Sequence, residues 1–430
     1  VRGLSGLENV PSPSGGSLAR EKPMIKHIFK IVWSRKRSNL LLTLEIGLTF
    51  CFLVFMLITG LHTWFTYRQP LGFSWENVIE IYFPDLSLWI DAEWAQNTVE
   101  TQIRMLTAAK GLEEVEAAGL LWEMPFHGIS SFNSVSYKGR VTRSKSLSVT
   151  DDIMAVLKPD LLRGRLFASQ HDALDRGAVL INRHLQHDLF GDEDPVGQTI
   201  KVVWGAADEL PHGIERIIVG VLSDFKRDGE LAKTSNVILH RISLADPASI
   251  GSPFRRLLLR LRPETTVVQE ERIVAKLGAI ARSWMFEVTT LDDRRLTLLK
   301  KKAAPLIAGA IIGFNLMLMV GLGLTGVLWL NVTRRTREIG LRRANGATVG
   351  RIIQQIAGEL VVVTTIGLLG GLALVAQVPL LQASDSVSGT SYFLGIIISA
   401  AIMYALAILC SLYPGFMATR IQPARALHHE

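Results

Sequence analysis

Cysteine is almost missing from this chain of 430 residues: only Cys51 and Cys410 occur, and both fall inside long apolar runs. No disulfide pair is at hand to brace the polar part of the chain, so both thiols read as small core residues. Missing too is any G-x-x-x-x-G-K-[ST] stretch, the loop whose backbone amides cradle nucleotide phosphates. ATP hydrolysis is therefore expected in another chain, and this one is not expected to be an enzyme. Ser, His and Asp are scattered without a G-x-S-x-G elbow, which leaves a hydrolase without its nucleophile motif. His184 and His187 share a helical face, yet no nearby Cys or second pair completes a metal set, and they read as helix surface.

What is abundant is apolar sequence. Hydrophobic residues make up 48% of the chain and mean hydropathy is +0.28, too apolar for an ordinary soluble enzyme. These residues are clustered. Leu40 to Trp64, Ala303 to Leu330, Ile356 to Leu381 and Phe393 to Phe416 are each long enough to cross a hydrocarbon core of about 30 Å. They predict four transmembrane helices over 38–65, 303–330, 356–381 and 393–416.

Orientation follows from Lys and Arg near the membrane. The arm from Arg20 to Arg37 carries seven basic residues against Glu21 alone, and Asn331 to Arg351 carries six arginines against Glu338. Gln382 to Tyr392 carries no Lys or Arg. Both termini and the middle loop are thus expected in the cytoplasm, at the cell inner membrane, with 382–392 as a short external loop. Residues 66–302 then lie outside, and their thirty basic and thirty-two acidic residues nearly cancel. The overall charge of +7 belongs to the membrane surface, where it meets lipid headgroups or a cytoplasmic partner, so a nucleic-acid reading loses its support. Lys300, Lys301 and Lys302 depart from this pattern on the outer flank, and their length predicts snorkelling to outer phosphates.

Residues 1–23 are rich in Pro, Ser and Gly and read as a disordered leader or tag. Residues 24–37 place Ile25, Ile28, Phe29 and Val32 on one helical face, which predicts an interfacial amphipathic helix. The outer region mixes signals. Asn97 to Ala118 has helical spacing with a break at Gly111, whereas Ala178 to Asn182 and Arg216 to Leu222 read as buried strands. The expected fold is a membrane α-helical protein with a large α+β extracytoplasmic domain, of one or two lobes, inserted between helices 1 and 2.

Four segments carry a family resemblance. Asp160-Leu-Leu-Arg-Gly-Arg-Leu-Phe167, Ala178-Val-Leu-Ile-Asn182, Leu189-Phe-Gly-Asp-Glu-Asp-Pro-Val-Gly-Gln-Thr-Ile200 and Ile218-Val-Gly-Val-Leu-Ser-Asp224 resemble, in order and spacing, the periplasmic core domain of MacB-type permeases. Thr333 to Thr348 is similar to the cytoplasmic loop of the FtsX/MacB (type VII ABC transporter) superfamily, and Tyr413-Pro414 with Arg420 to Leu427 resembles its C-terminal end. Two departures stand out. Asn345 replaces a commonly apolar residue, and Glu45 is a carboxylate in a span that is often wholly apolar.

The resemblance implies a cytoplasmic ABC ATPase subunit that binds ATP and Mg, a second permease chain, and mechanotransmission in place of transport through the spans. The ATPase-coupling candidates are Arg334, Arg335, Arg337, Glu338, Ile339, Gly340, Arg342, Arg343, Gly346, Ala347 and Thr348, in a loop at 331–355, and the tail 417–430 follows the last span. Independently, an arginine-dense segment suits an acidic cleft, because guanidinium forks hold carboxylates with fixed geometry. Glu45 and Glu359 lie near the cytoplasmic edge of their spans and either snorkel or pair with arginines of the 334–343 cluster. Gly309 and Gly313 form G-x-x-x-G, for packing within the chain or in a dimer. Three functions stay open: efflux with a periplasmic adaptor and an outer-membrane channel, lipoprotein release, and regulation of a periplasmic enzyme.

Overall fold

The structure, a computed structural model, describes residues 36–84, 92–128, 131–168, 177–204, 213–245, 250, 252–344, 348–377 and 389–419. The expected leader, nearly all of the amphipathic helix, most of the loop 382–392 and most of the tail lie outside the described residues. Helix α1 (Lys36–Tyr67) is followed by β1 (Val78–Tyr82), α2 (Ala92–Lys110), β2 (Val115–Leu121), β3 (Phe132–Tyr137), β4 (Arg140–Thr150), α3 (Ile153–Leu157) and β5 (Leu161–Gly164). Next come β6 (Ala178–Asn182), α4 (Arg183–Phe190), β7 (Thr199–Trp204), β8 (Ile214–Leu222), β9 (Val237–Ile242), β10 (Arg256–Leu261), α5 (Val267–Ile280) and β11 (Glu287–Thr290). The chain continues as α6 (Leu291–Arg334), α7 (Thr336–Ala344), α8 (Val349–Val375) and α9 (Gly389–Thr419). It divides into a sheet unit, 59–309, and a helical unit formed by the rest; the passages between them fall within α1 and within α6.

Four helices, α1, α6, α8 and α9, are long and apolar enough to cross a membrane. They must be helices, since hydrocarbon supplies no partner for a free backbone N–H or C=O. Leu42, Ile46, Phe50, Val320, Leu324, Leu360 and Met403 meet in the core of the helical unit. The second of these helices begins twelve residues before the expected span at 303. Its first turn is capped by Thr290, whose hydroxyl accepts from the Asp293 N–H at 3.0 Å. Leu291 and Leu298 are buried in the sheet unit, so 291–302 is an amphipathic stem. The snorkelling expected of Lys302 is corrected accordingly: its ammonium donates to the Asp228 carbonyl at 2.7 Å.

All the strands join one sheet in the order β11-β1-β10-β2-β4-β3-β7-β8-β6-β9, with β5 added on β8. β9 also pairs in parallel with β4. The pairings β4-β3-β7-β8-β6-β9 therefore return to their start and close a ring of six strands. β4 can serve both parts because it is eleven residues long and changes neighbours along its length: Lys145 is opposite Phe132 of β3 and also begins the register with Val237 of β9. Val135, Val179, Ile181, Ile200, Val202 and Ile238 form an apolar cluster on one face, joined by Leu185, Leu189 and Phe190 of α4. The helical spacing noted across Asn97 to Ala118 holds only to Lys110. Beyond Gly111 the chain enters β2, where pairing with β10 outweighs local helical preference.

One polar knot lies deep in the sheet unit. Glu80 on β1 is fully buried; Arg256 on β10 donates to one carboxylate oxygen at 2.6 Å, and Arg294 on the stem of α6 donates to the other. Arg256 also reaches the Trp122 carbonyl at 2.9 Å. Glu80→Ala would leave two guanidinium groups facing each other away from water, with an expected loss of about 3–5 kcal/mol, read as a lower unfolding midpoint by tryptophan fluorescence.

His240 on β9 is 5% exposed, and its Nε2 accepts from the Asn133 side-chain amide N–H at 2.7 Å. Burial first, and Arg216 second, push its pKa down from 6.5 to about 3. The folded state thus resists a proton that the unfolded chain takes up near 6.5. Stability contributed by neutral His240 is complete above that pH and is lost as pH falls toward 3, at up to about 1.4 kcal/mol per pH unit. His240→Gln should flatten the fall in melting temperature between pH 6.5 and 5 for the detergent-solubilised chain.

Candidate coupling site

The stretch 331–355, expected as a loop, is mostly helix. Apart from Gly340, residues 333–344 include no strong helix breaker, so α6 continues through Arg334 and α7 resumes at Thr336 after one turn residue. At this joint the Arg335 N–H is shared between the Asn331 and Val332 carbonyls, both at 3.2 Å, and the Ile339 N–H returns to the Arg335 carbonyl at 2.9 Å. The Thr336 hydroxyl donates to the Thr333 carbonyl at 2.8 Å, a local bond that competes with helix continuation.

The inner side of the joint is apolar. Ile339 packs with Val332, Ile352 and Ile356, and Gly340 is buried beside it. Next to these lies a pocket whose polar wall is Asn331, Arg335, Glu338, Gln355 and Glu359. Arg335 and Glu359 are mostly buried and bond at 2.8 Å, tying the joint to α8. Glu359 therefore meets an arginine of the cluster. Glu45 is half-buried on α1, where a Cβ on Gly323 of α6 would come within 3.4 Å of its carboxylate.

The outer side is basic. Arg334, Arg337 and Leu341 are exposed at intervals of three and four residues, which puts them on one helical face. Arg342 and Arg343 belong to α7 by backbone, but their side chains are not among those described, and Gly346 and Ala347 lie outside the described residues. Thr348 takes the extended N-cap conformation, φ −72° and ψ 150°, ahead of α8.

Of the two small residues noted in the second span, Gly309 is buried, and Gly313 faces α1, with Phe52 at 3.3 Å from a Cβ there. A tighter crossing went unread. A Cβ on Gly47 of α1 would stand 3.0 Å from the Gly367 carbonyl of α8, and one on Gly371 would stand 2.9 Å from the Gly47 carbonyl. Its signal was in the sequence, since Gly367 and Gly371 form a second G-x-x-x-G.

Residues 40–277 match the family of the MacB-like periplasmic core domain, and residues 310–423 match the FtsX-like permease C-terminal family. The chain belongs to the MacB-type permeases of the FtsX superfamily. A permease of Bacillus subtilis named uncharacterized ABC transporter permease YknZ is 26% identical over 384 residues, 82% of this chain and 86% of its own length. The macrolide export ATP-binding/permease protein MacB of Pectobacterium atrosepticum is 27% identical over 78% of this chain and 53% of its own. MacB 2 of Aeromonas hydrophila is 25% identical over 70% of this chain and 46% of its own. The permease thus spans about half the length of these MacB relatives. The crystal structure of the periplasmic region of MacB from Actinobacillus actinomycetemcomitans aligns with 54% of this chain and 97% of its own, at 12% identity and a TM-score of 0.38.

Arg335→Met should destabilise the helical unit by about 1.5–3 kcal/mol, since Glu359 loses a charge-assisted partner. Exchanging the pair, Arg335→Glu with Glu359→Arg, should restore most of the melting temperature of the detergent-solubilised permease.

Proposed function

We propose that this permease is one subunit of an ABC-type mechanotransmission complex in the inner membrane, with both termini and α7 in the cytoplasm and the sheet unit outside. The observation that carries this reading is the nearly unbroken helix from Leu291 to Ala344, which begins inside the sheet unit and ends in the exposed basic face of Arg334, Arg337 and Leu341. The 44 residues of α6, with Pro305 in its interior, are about twice the roughly 20 that cross a hydrocarbon core. Such an element carries displacement from one end to the other.

A cytoplasmic ABC ATPase docks an acidic cleft on that basic face and supplies ATP and Mg, and a second permease chain completes the complex. Its strokes move α6 against its neighbours and reshape the outer unit. Conduction through the spans has little support in their chemistry. Among the described residues, the buried polar side chains of the spans are the hydroxyls Thr49, Thr66, Thr364, Ser391, Ser399 and Ser411. Ser399 and Ser411 spend theirs on carbonyls of their own helix. The product of the stroke is export of a substrate already outside the membrane, through a periplasmic adaptor and an outer-membrane channel. The relatives named as macrolide exporters favour efflux over the other readings.

Arg334→Glu combined with Arg337→Glu should cut co-purification of the ATPase by about a hundredfold or more, because each lost charge-assisted contact contributes about 1.5–3 kcal/mol. Circular dichroism should stay unchanged. Wild-type recovery of the ATPase with the double variant would remove this face from the docking site.

A further inference from the structure

The turn from Lys226 to Glu230 touches more distant parts of the sheet unit than its length explains. The Lys226 ammonium, 3% exposed, donates to the Thr66 carbonyl at the end of α1 and to the Glu230 carbonyl at 3.3 Å. Its backbone N–H donates to the Leu71 carbonyl at 2.8 Å, just past the same helix. The Glu230 carboxylate, also buried, accepts from Arg295 on the stem of α6. Lys302, two turns further along that stem, reaches the Asp228 carbonyl at 2.7 Å. A Cβ on Gly229, at φ +85°, would stand 3.3 Å from the Leu298 side chain on the same stem.

The turn also grips the ring. Asp228 pairs with Lys145, and Arg227, 2% exposed, donates to the Ser146 carbonyl at 2.8 Å. These are the residues of β4 where the strand leaves β3 for β9 and the ring closes. Directly along this seam, Asn133 Oδ1, the hydroxyls of Ser144, Ser146 and Ser148, and His240 Nδ1 are buried with no hydrogen-bond partner among the described residues. An opened seam would let water reach these polar atoms, which lowers the cost of opening it at the place the turn holds.

Resting on the lever reading above, we propose that Lys226–Glu230 is the joint that locks the end of α1 and the stem of α6 to the closing point of the ring, so that displacement of α6 against α1 opens the β3/β4/β9 seam. Lys226, Glu230 and Arg295 are its positioning residues. A stroke that moves one stem pulls on Asp228 and Glu230 while Thr66 holds Lys226, and the difference falls on Lys145 and Ser146.

The test uses the full chain in nanodiscs. In Lys226→Met and in Glu230→Gln, amide hydrogen exchange should quicken about tenfold, the worth of one charge-assisted hydrogen bond, within 66–73, 145–146 and 294–302. Exchange in β6 and β8 should stay at the wild-type rate. Glu230→Arg with Arg295→Glu should restore slow exchange. With the co-purifying ATPase bound, Lys226→Met should keep ATP turnover yet lose the ATP-dependent change in distance between spin labels on Ser136→Cys and Ser235→Cys, in a background without Cys51 and Cys410. Exchange that quickens nowhere, or equally in all strands, overturns the joint, as does an unchanged spin-label response in Lys226→Met. If no ATPase binds the wild-type chain, the lever reading fails while the exchange pattern still decides the joint.

Discussion

Hydrocarbon offers no partner to a backbone amide, and the rest of this structure is arranged around that fact. The parts of this chain that enter the membrane are helices, because a helix satisfies its backbone groups within one segment. Two of the four, α1 and α6, continue into the sheet unit, and there the opposite condition applies: charges may be buried, provided each finds a partner. Glu80 between Arg256 and Arg294, and Glu230 beside Arg295, meet that condition with side chains from the stem itself. Membrane-crossing helices and buried ion pairs are thus two answers to one demand, that polar groups find partners where water is scarce.

Legibility in the sequence followed the range of the forces involved. The four spans were plain because a long apolar run is a local property, and Ala178 to Asn182 was plain because four apolar residues in a row, closed by Asn182, mark a strand covered on both faces. The break at Gly111 was visible, whereas the switch from helix to strand after it was not, since β2 owes its state to β10 more than a hundred residues later. The start of α6 was hidden for a similar reason. Asp292, Asp293, Arg294 and Arg295 look like a solvated loop until the buried partners of the two arginines are known.

At the candidate coupling site the residue types were legible and their division of labour was not. A run of six arginines says that positive charge gathers there; only the helical phase says that Arg335 turns inward to Glu359 while Arg334 and Arg337 face out. The turn Lys226–Glu230 gave no sign at all. Lys-Arg-Asp-Gly-Glu reads as an exposed charged bend, and its burial depends on groups contributed by Thr66, Leu71, Lys145, Ser146, Arg295 and Lys302, none of them near in sequence.

The pairing of β1 with β10 has a consequence in time. Glu80 and its partner Arg256 stand 176 positions apart, and at about 5–20 residues per second a ribosome needs roughly 10–35 s to make the chain between them. Throughout that interval Val78, Ile79 and Ile81 have no strand beside them, which is the state in which an apolar edge recruits foreign strands. Completion of the sheet comes with β11, and the next residue already belongs to α6. The second span therefore leaves the ribosome only after the last strand of the sheet has been made.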